Sequence, residues 1–191
     1  MPPPPPPPTI PTRLLLLSDT HNALPLPRPQ PHPLPHADLL IHSGDLTLTG
    51  DIASLTSQLQ YLANADADVK VVVWGNHDVG IDREFYEREW GRFHGAGEMV
   101  DSDAVQELLA NPTWKAKGLK ILNEGTHTLT LPNGAHITLY TSPYTPAFQN
   151  WAFAYERDVD RFNPPTLTYN NNNSNDGAKN PVPDWPAVDI M

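Results

Sequence analysis

Val69-Lys70-Val71-Val72-Val73-Trp74 runs straight into Gly75-Asn76-His77-Asp78, and that junction decides the fold. A β-branched, apolar run of this length reads as a buried strand, and a glycine followed by three polar, ligand-capable residues reads as the loop that ends it. The same event occurs twice upstream. Asp38-Leu39-Leu40-Ile41-His42-Ser43 ends in Gly44-Asp45, and Arg13 to Leu17 is followed at once by Asp19-Thr20-His21. Both runs are expected to be buried strands. In open α/β sheets ligands bind beyond the carboxyl ends of parallel strands, so the three polar clusters are expected to meet in space.

Between the second and third strands, Ile52, Leu55, Leu59 and Leu62 fall at helical spacing behind Asp51, a credible N-cap. Asp82 to Phe93 and Asp101 to Ala110 read as two further helices. From Gly118 onward the period becomes that of strands. Leu119 to Leu122, Thr126 to Leu131 and Ala135 to Thr141 are three of them, with Pro132-Asn133-Gly134 as a hairpin turn between the last two. Ala187-Val188-Asp189-Ile190-Met191 reads as the opening of another buried strand.

Three segments stand outside this pattern. Residues 1–11 form a proline-rich tail, residues 25–35 a loop in which proline alternates, and residues 168–180 an asparagine-rich insertion. The folded domain is therefore expected over 12–191.

The clusters carry metal chemistry. Asp19 and His21 sit one residue apart, and in an extended chain such side chains point the same way and can grip one ion. Gly44 lets the backbone of Asp45 come close to a ligand. Asn76 offers a neutral oxygen to a metal, His77 points towards substrate, and Asp78 is placed to orient the His77 ring. His42, inside an apolar strand, reads as a packed core histidine. His32, His36, His94, His127 and His136 read as structural or solvated. Trp151, Phe153 and Tyr144 read as packing under a loop rather than a substrate wall.

Taken together, Ser18-Asp19-Thr20-His21, Ser43-Gly44-Asp45-Leu46-Thr47 and Trp74-Gly75-Asn76-His77-Asp78 resemble the first three blocks of the calcineurin-like metallophosphoesterases. Gly44-Asp45-Leu46-Thr47 and the stretch Ser142 to Phe153 are most similar to the brain-type metallophosphoesterase-domain branch, which is related to class III cyclic-nucleotide phosphodiesterases. The resemblance implies an α/β fold, a four-layer αββα sandwich of two mixed β-sheets flanked by helices. It implies phosphoester hydrolysis, of monoesters or diesters, by a water activated between two divalent ions drawn from Mn, Fe, Zn or Mg. By it, Asp19 and His21 bind the first metal, Asp45 bridges both and Asn76 binds the second. His77 is the leaving-group acid or phosphate stabiliser, with Asp78 its partner.

In the family, a strand such as the one at Val188 to Met191 precedes further histidine-bearing blocks. Their absence implies a domain incomplete at its C-terminus that holds one ion better than two, with impaired activity. The rival expectation is a non-catalytic metal-binding or interaction protein.

Composition narrows the partners. The 191 residues carry 22 acidic against 12 basic side chains, a formal charge of -10. That balance repels polyanions and argues against nucleic acid, leaving a small phosphoester as the expected partner. With no cysteine, any metal must be held by oxygen and imidazole nitrogen. The leucine run near the start is too short for a membrane span, and a cytoplasmic location is the expectation.

Overall fold

The valine-rich run forms the interior of a parallel sheet. In the computed structural model, which describes residues 9–23, 34–95, 97, 99–162, 182–183 and 187–191, the strands β1 (Leu14–Leu17), β2 (Ala37–Ser43), β3 (Ala67–Val73) and β4 (Leu119–Ile121) pair in the order β1-β2-β3-β4. All three pairings are parallel. The proline tail through residue 8, the alternating loop over 25–33 and the asparagine-rich insertion lie outside the described residues.

Successive residues of a strand face opposite sides of a sheet, and here each side meets a different partner. Leu40 and Val72 face the helices α1 (Ile52–Ala63), α2 (Arg83–His94), α3 (Ser102–Leu109) and α4 (Pro112–Ala116), packing in one core with Leu55, Leu59, Tyr86 and Trp114. Leu39, Ile41 and Val71 face the other way, onto Leu129, Ile137 and Leu139 of an antiparallel hairpin, β5 (Gly125–Thr130) and β6 (His136–Thr141). The Asp51 side chain accepts from the Ser54 amide, so α1 starts where its N-cap predicts. The hairpin turns through Pro132, Asn133 and Gly134 as expected, Gly134 having φ 90°.

Val188 is buried, and Ile190 makes a parallel bridge to Leu139, so the final residues run beside β6. A short parallel pair, β7 (Thr145–Pro146) with β8 (Ala154–Tyr155), completes the strands. The α/β fold implied by the sequence is the one adopted, with parallel and antiparallel sheets flanked by helices. The described residues form three layers, helices, parallel sheet and hairpin sheet.

The first strand departs from its expected burial. Leu14 is 45% and Leu16 62% exposed. Their register partners are Leu39 and Ile41, so they share the face that packs on the hairpin. Among the described residues β1 is at the edge of the sheet, and the described part of the hairpin does not cover Leu14 and Leu16. No helix among the described residues is long and apolar enough to cross a membrane.

Candidate metal centre

Beyond the strand ends, the loops after β1 and β2 keep the parallel contact going. The amides of Asp19, His21 and Asn22 donate to the carbonyls of Gly44, Asp45 and Leu46 at 3.0, 3.0 and 2.9 Å. The loop after β3 closes on the same point, since a Cβ on Gly44 would lie 2.8 Å from the Gly75 Cα. Only glycine permits that approach, and Gly44 also has φ 108°.

The extended geometry expected for Asp19-Thr20-His21 is not what forms. Asp19, His21 and Asp45 all have left-handed backbones, with φ of 54°, 46° and 55°. Asp, Asn and His tolerate this region best among residues with a side chain, and such conformations persist only when their surroundings hold them there. The chain has already left the strand at Leu17, so convergence comes from a turn rather than from strand alternation.

Convergence is nevertheless achieved. His21 Nε2 lies 3.9 Å from Asp19 Oδ1 and 3.8 Å from Asp45 Oδ2. One donor atom each from His21, Asp45 and His77 falls within 4.8 Å of the other two. Two adjacent backbone carbonyls set the imidazoles. His21 Nδ1 contacts Thr47 O at 3.3 Å, and His77 Nδ1 contacts Leu48 O at 3.1 Å. A carbonyl only accepts, so each Nδ1 is the donor, and in the neutral ring Nε2 is the nitrogen free to bind an ion. The set of oxygen and imidazole donors, with a carbonyl behind each ring, is one that could hold a divalent metal ion.

Asp45 is nearly buried, and its Oδ1 accepts from the His77 amide at 2.9 Å, tying the second loop to the third. Among the described residues, no lysine or arginine pairs with Asp19 or Asp45. Ser18 Oγ donates to Asp19 Oδ2. Asn76 lies half-buried beside His77 in the same loop.

Asp78 does something other than orient His77. Fully buried, its carboxylate accepts from Thr47 N at 2.9 Å, Thr47 Oγ1 at 2.8 Å, Gly75 N at 3.0 Å and Leu46 N at 3.3 Å. The turn that bonds the Asp78 amide to Gly75 O points this side chain inward, which is why sequence adjacency to His77 misleads. Burial pushes the Asp78 carboxyl above the usual range, opposed by those donors from Gly75, Thr47 and Leu46. Asp78 is a tie between the second and third loops, and it fixes the loop whose Thr47 and Leu48 carbonyls set both imidazoles.

His42 is a core histidine as expected, and its partner is Thr20: His42 Nε2 and Thr20 Oγ1 are 3.1 Å apart. Its Nδ1 is buried without a hydrogen-bond partner among the described residues. Burial lowers its pKa to about 4 against the opposing pull of Asp19.

Trp151 was not legible as part of the site. Its ring lies on the His77 imidazole, centroids 4.0 Å apart and planes inclined by 32°. Phe153, by contrast, is buried core. No spacing in the sequence signals a contact between residues so far apart. A separate grouping of His36, Asp38 and Asp68 lies near the amino ends of β2 and β3, with His36 and Asp68 exposed and Asp38 already accepting from the Arg13 amide.

A family model described as calcineurin-like phosphoesterase matches residues 12–182. The chain belongs to that family. Its relatives include the human metallophosphoesterase domain-containing protein 1, 28% identical over 152 residues, covering 76% of this chain and 41% of the relative. A UPF0046 protein of Caenorhabditis elegans is 32% identical over 125 residues, covering 61% of this chain and 42% of its own length. An Emericella nidulans protein named "Probable rhamnogalacturonate lyase C" is 34% identical over 145 residues, which is 76% of this chain and 12% of that protein. The chain thus spans less than half the length of each of these relatives. The family is one of metal-dependent phosphoester hydrolases, and His21, Asp45 and His77 at the strand ends form a grouping that could hold a metal ion.

Proposed function

We propose that this chain hydrolyses a small phosphoester, a phosphodiester before a monoester, at the cluster built from Asp19, His21, Asp45, Asn76 and His77. The observation that carries the reading is the grouping of His21, Asp45 and His77, one ligand-capable atom of each within 4.8 Å of the others, with both imidazoles tethered through Nδ1 to neighbouring carbonyls. A divalent ion there would supply positive charge to the phosphate and make water a competent nucleophile at neutral pH. Asp19, His21 and Asp45 would hold the first ion. Asp45 and Asn76 are the groups this chain offers to a second.

His77 has a different task. Its Nδ1–H is committed to Leu48 O, so only Nε2 can meet substrate, and it is the imidazolium form that would donate to a phosphate oxygen or pass its Nε2 proton to the departing alkoxide. The formal charge of -10 supports a small substrate bound through metal over a polyanion. A cytoplasmic location belongs to the same proposal, and fractionation of the native protein would check it.

The test is direct. Calorimetric titration with Mn²⁺ should show saturable binding that Asp45→Asn abolishes, and Mn²⁺ should switch on hydrolysis of bis(p-nitrophenyl) phosphate. Absence of Mn²⁺ binding by the native chain would overturn the reading.

A further inference from the structure

Three residues with side chains, Gln149, Asn150 and Phe153, hold left-handed backbones at φ 52°, 54° and 54°. Each is costly, and a loop keeps such a shape only when its neighbours enforce it. Here α2 enforces it from both ends. The Arg92 guanidinium donates to the carbonyls of Asn150 and Gln149, the latter at 3.0 Å. At the other end Asp82 Oδ2 accepts from the Phe153 amide at 2.9 Å, while its Oδ1 accepts from the Phe85 amide as the helix N-cap.

The product of this latch is the placement of one ring. Trp151 sits between Phe93, at a centroid distance of 5.2 Å, and His77, at 4.0 Å, with the Arg92 guanidinium 5.5 Å from its ring centre. The His77 ring meets His21 edge-on at 4.6 Å. A ring held by one hydrogen bond can still swing about that bond. The indole face removes this freedom and keeps water from one side of the imidazole.

We propose that Trp151 is a positioning residue that fixes the orientation of the His77 imidazole, and that Arg92 and Asp82 act through it. The kinetic side of the proposal rests on the hydrolase reading. The structural side does not. An indole stacked on an imidazole moves the ring protons upfield by its ring current, a signature that simple core packing elsewhere would not produce.

The test uses the full chain. The His77 ring resonances, assigned by their loss in His77→Gln, should lie upfield in the native protein, return towards ordinary positions in Trp151→Leu and keep part of the shift in Trp151→Phe. With Mn²⁺ and bis(p-nitrophenyl) phosphate, Trp151→Leu should lower kcat by about 10- to 100-fold and leave KM and Mn²⁺ affinity within about twofold, the pattern of a misaimed group rather than lost binding. Trp151→Phe should recover most of kcat. His77 resonances that Trp151→Leu leaves unmoved would overturn the proposal. So would a Trp151→Leu variant that loses KM, Mn²⁺ affinity and melting temperature together with no rescue by phenylalanine. A native chain that hydrolyses nothing would remove the hydrolase reading, and the His77 resonances would then decide this one by themselves.

Discussion

A Cβ on Gly75 would lie 2.2 Å from Asp45 Oδ1 and 2.4 Å from the Asp45 amide nitrogen. The loop after β3 therefore rests its backbone on the residue at the centre of the cluster. A carboxylate can swing aside, but an amide held in the chain cannot, so Gly75→Ala must push two loops apart. Overpacking of this kind costs about 1–3 kcal/mol. Urea unfolding should show that loss, and Mn²⁺ titration should show affinity weakened by about tenfold or more, as when a group behind a metal ligand is disturbed.

The two histidines should separate by function. His21 faces both carboxylates, whereas His77 stands under Trp151 with its amide on Asp45. His21→Gln is expected to abolish measurable Mn²⁺ binding. His77→Gln should retain most Mn²⁺ affinity and lose hydrolysis by about 100-fold or more, the scale of general acid catalysis. Equal loss of metal by both variants would make His77 a ligand instead.

Asp78 should behave as a structural residue. Removing its carboxylate strands the buried donors of Thr47 and Leu46, each unsatisfied group costing about 1–3 kcal/mol. Asp78→Ala should therefore lower the urea midpoint strongly even with chelator present, and its effect on Mn²⁺ binding should follow from the displaced Thr47 and Leu48 carbonyls. A stable Asp78→Ala chain that merely fails to hydrolyse would return Asp78 to the role of partner for His77.

His42 makes stability fall with acid. Its folded pKa, about 4, lies below the ordinary histidine value of 6.5. The unfolded chain thus takes up this proton first as pH falls, and unfolding is favoured progressively from about pH 6.5 down to about 4, with no further effect below that. The difference corresponds to roughly 3 kcal/mol. Unfolding measured across that range without metal should show the decline, and His42→Gln should flatten it.

Much of this was legible because strand ends announce themselves. A run such as Val69–Val73 reads as buried, and the polar residues after it as a loop, so parallel pairing brings the loops of Asp19, Asp45 and His77 to one end of the sheet, while the turns that complete their meeting were hidden. Burial at an edge is different. Nothing within Leu14-Leu15-Leu16-Leu17 says that, among the described residues, β1 has a neighbour strand on one side only, with two of its leucines exposed. Side-chain direction in loops was equally hidden. Asp78 is next to His77 in the chain, yet the turn at Gly75 sends the two side chains to opposite places. Trp151 reaches His77 through a loop whose shape depends on Arg92 and Asp82, a tertiary arrangement with no periodic trace.

Asp82 caps the start of α2 and Arg92 lies in its last turn, a separation of about 15 Å at helical rise. The helix thus works as a strut clamped across the loop that carries the indole. Leaning on its outer surface would be felt, through the indole, at the His77 imidazole, so on the reading proposed above the aim of that ring depends on the stiffness of a helix in the neighbouring layer.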